Sequence, residues 1–300
     1  MSKQKRILVY LANGVQGGAV ARQAVSRGHV VRALVRDPGK SDRLTKLGVE
    51  VMAGDLQSGA GLQEAHHGID YVVLQMPLGV PAQMGPLIDN AISAIKMSGV
   101  KGVIVKMGSG KPAIPADVPA FVLNRIIEEK MRESRIPFSI VRPTMYLDNF
   151  LRPDIREGIR NDGVMVYSLP TRQKIAWTST DDAAKAALTL LENEIFGGEF
   201  IVSGADAVDG EGLALAFSKA LKRDIRFQSL PLEPLDHSVD LVTGAGMRRR
   251  LAMATLQFIE RHPDEASEFL SRPFSPSPQL RDFHPASIET WVTEHSLSFV

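Results

Sequence analysis

Cysteine is absent from all 300 residues. That excludes a disulfide, a thiolate nucleophile and a cysteine-ligated metal. Aromatic residues are scarce, at 6% with 2 Trp and 4 Tyr. Charge of one sign is missing too: 35 Lys and Arg against 34 Asp and Glu leave a formal +1. No bulk field therefore draws the chain to nucleic acid or to a membrane surface. The apolar runs are only a handful of residues long, short of the ~20 a membrane helix needs. The basic start, Lys3 to Arg6, leads into an apolar run that stops at Asn13, too soon for a secretory signal. These absences lead us to expect a cytoplasmic protein without a membrane segment. A hydrophobic share of 44% is that of an ordinary globular chain, long enough to bury a full core.

What is present alternates. Continuous Val/Ile/Leu-rich runs at 6–10, 30–35, 50–53, 71–75, 102–106 and 138–141 predict strands covered on both faces. Between them, amphipathic stretches at 18–27, 41–47, 60–66, 83–98 and 120–134 predict helices. Strands alternating with helices mean βαβ units and a parallel sheet. Gly28, Gly48, Gly68 and Gly99 stand where a helix ends and a strand follows, the usual place for a left-handed stop. After Pro143 the rhythm breaks. Helices are predicted at 148–160, 181–193, 210–221, 247–261 and 287–295, a strand at 198–202 and a loop at 271–278. Ser179 or Thr180 is placed to cap the helix at 181. The expected organisation is a nucleotide-binding domain over 1–147, with 174–200 returning to it, and a substrate or partner lobe over 148–300.

The first strand and helix are joined by Leu11-Ala12-Asn13-Gly14-Val15-Gln16-Gly17. Glycines in such a turn let the backbone approach a pyrophosphate, while the free N–H groups of the helix start point at it. Gly14 and Gly17 have the spacing of the second and third glycines of that pattern. Leu11 stands where the first belongs, where a leucine costs conformational freedom and is expected to crowd the cofactor. Asn13 to Gly17 are thus the candidate cofactor cradle.

The second strand ends in Arg36, where an acidic residue would bind a ribose 2′-hydroxyl. A guanidinium suits a 2′-phosphate instead. NADP(H) is accordingly expected over NAD(H), with Lys40 as a second cation. Asp55, followed by Leu56, sits after the third strand, to face an adenine amino group or to cap the turn from Gln57. Met76 and Pro77 follow the fourth strand and should line the nicotinamide side. Lys106 and Lys111 are candidate acids if burial lowers either pKa. Tyr146 is a phenol at the entrance to the second lobe. His66 and His67 read as helix-end residues rather than metal ligands, and no metal site is expected. Arg248 to Arg250 read as a solvated helix start.

Taken together, Tyr10 to Gly18, the Val31 to Pro38 run, Gly54-Asp55-Leu56, Ile136 to Pro143 with Asp148-Asn149-Phe150, and Ile288 to Trp291 resemble the NmrA-like proteins, atypical short-chain dehydrogenases/reductases. The resemblance covers most of the chain. It implies a Rossmann-type doubly wound α/β fold with a smaller C-terminal α/β lobe, and NAD(P) binding. It implies one of two functions. One is an NAD(P)H-dependent reductase of a small carbonyl or quinone-like substrate. The other is a non-catalytic dinucleotide sensor with a protein partner. It also suggests Ser109 as a substrate-binding serine. The family's reductases keep a lysine four residues before a glutamate. Here that position is Asn124, with Phe121 three before it, so neither supplies the superfamily's Tyr/Lys pair. Asn124 can still bond a ribose hydroxyl, and Tyr146 and Lys106 remain as catalytic candidates.

Overall fold

The computed structural model describes residues 3–114, 116–230 and 244–300, with side chains from Ala252 onward in the last segment. Among these residues, seven strands form one parallel sheet in the order β3-β2-β1-β4-β5-β6-β8. They are β1 (Arg6–Tyr10), β2 (Val30–Val35), β3 (Glu50–Ala53), β4 (Tyr71–Leu74), β5 (Gly102–Lys106), β6 (Phe138–Pro143) and β8 (Glu199–Val202). The order reverses between β1 and β4, and a doubly wound sheet opens its ligand crevice at that point, beyond the strands' carboxyl ends.

Both faces are covered, which explains why the strands read as continuous apolar runs. Helices α1 (Val15–Ser26) and α7 (Thr180–Glu192) pack on one face, where Ala19, Val20, Ala184 and Leu188 meet Ile7, Val9 and Ile104. Leu44 of α2 (Asp42–Lys46) joins them. Helices α3 (Leu62–His66), α4 (Pro81–Ser98) and α5 (Pro119–Ser134) cover the other face, with Ile88, Ile95 and Ile127 against Leu8, Val72 and Val105. The glycine stops hold: φ runs from 68° to 80° at Gly28, Gly48, Gly68 and Gly99.

A second cluster is rich in aromatic side chains, Phe150, Trp177, Phe217, Trp291 and Phe299 among them. It is built on α6 (Pro153–Asp162), α8 (Gly210–Leu221), α9 (Gly244–Arg261), α10 (Pro263–Leu270) and α11 (Ile288–Glu294), with a parallel pair of β7 (Val164–Tyr167) and β9 (Arg226–Ser229). Phe121 of α5 ties the two parts, packing edge-on against Phe258 and Phe269.

Several boundaries differ from expectation. The helix expected over 148–160 is two elements, a 3-10 turn at Leu147–Leu151 and then α6. Pro153 is the reason, because it disfavours helical dihedrals at the residue before it, and Arg152 sits at φ −62°, ψ 137°. The helix expected from residue 60 starts at Leu62, since Gly59 and Gly61 take positive φ. Strands β7 and β9 and helix α10 were not foreseen. The strands are four residues each, too short for a periodic signal. Helix α9 begins three residues earlier than expected, and the side chains of Arg248 to Arg250 lie outside the described part. Among the described residues no helix is long and apolar enough to cross a membrane.

Candidate functional site

The turn after β1 is tight. Leu11 takes φ 52°, the left-handed conformation that glycine adopts easily and other residues rarely do. It folds into the conformation a glycine would supply, and its side chain packs on the α3/α4 side of the core. The Leu11 carbonyl accepts from Gly14 N at 2.9 Å. A Cβ on Gly17 would be driven into that same carbonyl, so only glycine fits there. Gly14 caps α1 with extended backbone and no side chain in the way. The first N–H groups of α1, at Val15, Gln16 and Gly17, have no carbonyl to reach within their own helix. Asn13, Gly14 and Val15 are exposed. An open cradle of unengaged donors at a helix N-terminus fits a dinucleotide pyrophosphate.

Asn13 Nδ2 donates to Ser41 Oγ at 2.9 Å and so ties this turn to the segment after β2. Arg36 emerges there, exposed, with no hydrogen-bond or ion-pair partner among the described residues. Lys40 is engaged, its Nζ 3.1 Å from Asp37, whose carboxylate also accepts from Gly39 N. The Lys40 hydrogen bond and the Gly39 N–H hold the Asp37 carboxyl below its usual range. Asp55 uses both oxygens locally, accepting from Gln57 N at 2.9 Å and Ser58 Oγ at 3.1 Å. Leu56 is buried. Gln75 links the switch-point strands by donating to the Tyr10 carbonyl at 3.4 Å, and Met76 and Pro77 follow it, half-buried, in the loop outside β4.

The most unusual chemistry lies at the carboxyl end of β5. Lys106 Nζ is 2.6 Å from the Tyr146 hydroxyl and 2.6 Å from Gln16 Oε1. The Tyr146 hydroxyl donates to the same Gln16 oxygen at 3.2 Å. Lys106 and Tyr146 are 3% and 7% exposed. Burial pulls the Lys106 ammonium down to about 7, against a modest opposing pull from Asp148. Burial pushes the Tyr146 phenol well above its usual range, and the Asp148 charge adds to that. Asp148 itself is held by Thr180, accepting from its N at 2.8 Å and Oγ1 at 2.5 Å. Three residues far apart in sequence thus form one triad, with Lys106 and Tyr146 buried and Gln16 half-buried. Gln16 brings it to the glycine turn.

Asn124 is buried on α5 and donates to Ser109 Oγ at 3.0 Å, fixing that serine on the loop after β5. Lys111 is half-exposed and pairs with Glu128 at 3.2 Å. Glu128 also meets Arg132 at 3.0 Å and Arg142 at 2.5 Å. Burial raises its carboxyl, but the bonds and charges of Arg142 and Lys111 together hold it below the ordinary range. Sequence reasoning missed this cluster and the Asp148–Lys106 relationship. One signal was available for the first: an arginine in an otherwise apolar strand needs a buried partner.

His66 stands in the last turn of α3, as expected of a helix-end residue, but not as a charge favouring the helix dipole. His66 is fully buried, its Nδ1 2.6 Å from the Leu62 carbonyl and its Nε2 3.1 Å from the Tyr10 hydroxyl. Burial lowers its pKa, so it is a neutral bridge between α3 and β1. No group of three or more metal-ligating side chains occurs among the described residues.

A doubly wound parallel sheet with a glycine turn at its switch point defines a Rossmann-type protein. Comparison places the chain more narrowly. The family model described as the NmrA-like family matches residues 3–273, and the chain belongs to that family. It is 30% identical to the NAD(P)H azoreductase of Xenophilus azovorans over 254 residues, 83% of this chain and 84% of that protein. It is also 30% identical to the (4-alkanoyl-5-oxo-2,5-dihydrofuran-3-yl)methyl phosphate reductase of Streptomyces griseus over 302 residues, 98% of this chain and 99% of that protein. The Escherichia coli NADPH-dependent quinone oxidoreductase QOR2, solved with NADPH, superposes with a TM-score of 0.73 at 21% identity, covering 97% of this chain and 99% of that one.

Proposed function

We propose that this chain is an NAD(P)H-dependent reductase of a small carbonyl or quinone-like substrate, with NADP(H) its preferred cofactor. The observation that carries this reading is the Gln16–Lys106–Tyr146 triad beside the glycine turn. Kinship with two reductases supports it. Gly14, Gly17 and the α1 N–H groups would hold the pyrophosphate, and the unpaired Arg36 a 2′-phosphate. Asp55 and Leu56 would lie on the adenine side, and Met76 and Pro77 on the nicotinamide side. The bound cofactor would supply the hydride. The chain's own task is then to place the substrate and deliver a proton.

Ser109, oriented by Asn124, is placed to bond the substrate oxygen. Tyr146 gives its hydroxyl proton to that oxygen as negative charge develops there. Lys106 re-protonates the phenolate. Its pKa near 7 makes it a stronger acid than an ordinary lysine, and its ammonium stabilises the phenolate meanwhile. Gln16 Oε1 holds both donors in register.

The test pairs turnover with binding. NADPH oxidation is followed with quinone, enone and azo acceptors, and NADPH binding by calorimetry. Wild type should turn over. Tyr146→Phe and Lys106→Met should lose about 10²-fold or more in kcat while retaining NADPH affinity. Binding without turnover of any acceptor would defeat the reductase reading and leave a dinucleotide-sensing regulator. No dinucleotide binding at all would defeat both.

A further inference from the structure

Tyr146 is held in place by a short ladder to the segment that leads into α7. Thr178 N donates to the Met145 carbonyl at 2.9 Å, and Leu147 N donates to the Thr178 carbonyl at 2.8 Å. Tyr146 and Thr178 thereby form a parallel bridge. The last rung is a side chain. Asp148 accepts from Thr180 N at 2.8 Å through one oxygen and from Thr180 Oγ1 at 2.5 Å through the other. Thr180 opens α7, and Ser179 caps that helix by accepting from Asp182 N. The far side of the ladder is therefore a capped helix start, a firm anchor for the residues around Tyr146.

Asp148 spends both oxygens on neutral donors. It is half-buried, and no cation pairs with it among the described residues. Its charge is left free to act through the protein. Lys106 is in the complementary position, because its Nζ bonds only the neutral Gln16 and Tyr146. Gln16 meets Lys106 from α1, Tyr146 from just beyond β6, and Asp148 acts from the turn that follows Tyr146. Of these three only Asp148 is charged at neutral pH. Burial works against the Lys106 ammonium, and Asp148 works for it. The same carboxylate opposes ionisation of the Tyr146 phenol.

We propose that Asp148 is a positioning residue for the Lys106–Tyr146 pair. Clasped to Thr180, it holds the Tyr146 segment against Lys106, and its unpaired charge keeps a proton on the lysine. One side chain thus fixes both where the two donors stand and how they share their protons. Its role in turnover rests on the reductase reading; its hold on the Lys106 proton does not.

The test separates the charge from the clasp. Asp148→Asn removes the charge and keeps both contacts, since the amide oxygen accepts from Thr180 N and the amide nitrogen donates to Thr180 Oγ1. Asp148→Ser is a second neutral variant, used if the asparagine protein does not fold. Thr180→Val keeps the charge and removes the hydroxyl rung. The Lys106 midpoint is read by NMR from its ε-carbon in the 13C-labelled full chain, with Lys106→Met giving the assignment. The neutral variant should move that midpoint down by about 1 pH unit, the low end for loss of an opposite charge. Thr180→Val should leave it near the wild-type value while lowering kcat. With NADPH and a quinone acceptor, the falling limb of kcat should follow the NMR midpoint in the neutral variant and stay in place in Thr180→Val. A merely structural Asp148 would lower kcat and move neither the midpoint nor the limb, and that result overturns the proposal. So does a midpoint that shifts equally in Thr180→Val. A wild type without turnover defeats the reductase reading alone, and the midpoint shift then decides whether Asp148 holds the Lys106 proton.

Discussion

Lys106 Nζ and the Tyr146 hydroxyl stand 2.6 Å apart, one at the end of β5 and the other just beyond β6, and both are shut off from solvent. The ammonium also lies 4.9 Å from the centre of the Tyr146 ring. Neither residue sits on α5, where the superfamily keeps its catalytic pair. A phenol and an ammonium are brought together from strand ends instead.

This placement makes stability pH-dependent with a definite sign. Lys106 titrates near 7 when folded and near the ordinary lysine value when unfolded. Between those values the unfolded chain binds the extra proton, so stability rises with pH and the slope disappears below about 7. Relative to Lys106→Met, wild type should gain about 2 kcal/mol between pH 7 and pH 9. Urea unfolding of both proteins at the two pH values measures this. Parallel curves would show that Lys106 is not desolvated.

The same group sets the rate profile. The protonated ammonium is the proton source in the proposed reaction, so kcat should fall as pH rises through about 7. In Lys106→Met that limb should vanish from the residual activity. A limb that persists in the variant assigns it to another group.

Arg36 tests cofactor choice. It is exposed and unpaired, so replacing it should leave the fold intact. Arg36→Ala should weaken NADPH roughly tenfold or more, the scale of one lost charge-assisted bond, and leave NADH nearly unchanged. Equal losses for both cofactors would remove the 2′-phosphate role.

Gly17→Ala tests the turn. Its Cβ would press on the Leu11 carbonyl, which is backbone and cannot swing away. The expected cost is about 1–3 kcal/mol of stability, together with loss of dinucleotide binding. Thermal unfolding and calorimetry read the two effects separately. An alanine variant that binds NADPH like wild type would mean the turn shifts without consequence.

Glu128 anchors the buried ion cluster. Glu128→Gln leaves Arg142 facing a neutral amide, at a cost of about 3 kcal/mol at pH 7. Its folded pKa is depressed, so its contribution is present above the ordinary glutamate pKa and lost as pH falls through the folded value. The stability gap between wild type and variant should therefore close in acid. A gap unchanged at pH 3 would contradict the pairing.

Much of this was legible along the chain. Runs such as 102–106 could only be strands covered on both faces, and the strand-to-helix position of Gly14 and Gly17 marked the crevice. The second lobe was harder to read. Strands β7 and β9 have four residues each and pair across a long separation, so no local pattern announces them. The burial and neutrality of His66 were not legible locally, because they depend on Tyr10 of a distant strand.

The sequence by itself determined the parallel sheet, the glycine turn and the absence of cysteine chemistry, because periodicity and residue type act locally. Tertiary structure alone decided that Leu11 would take φ 52° and that Gln16, Lys106 and Tyr146 would meet. It also decided that Lys106 would lie dry enough to titrate near 7. Those outcomes depend on which strand ends are neighbours and how completely they exclude water. Residues 130 positions apart acquire such a relationship only when the sheet closes.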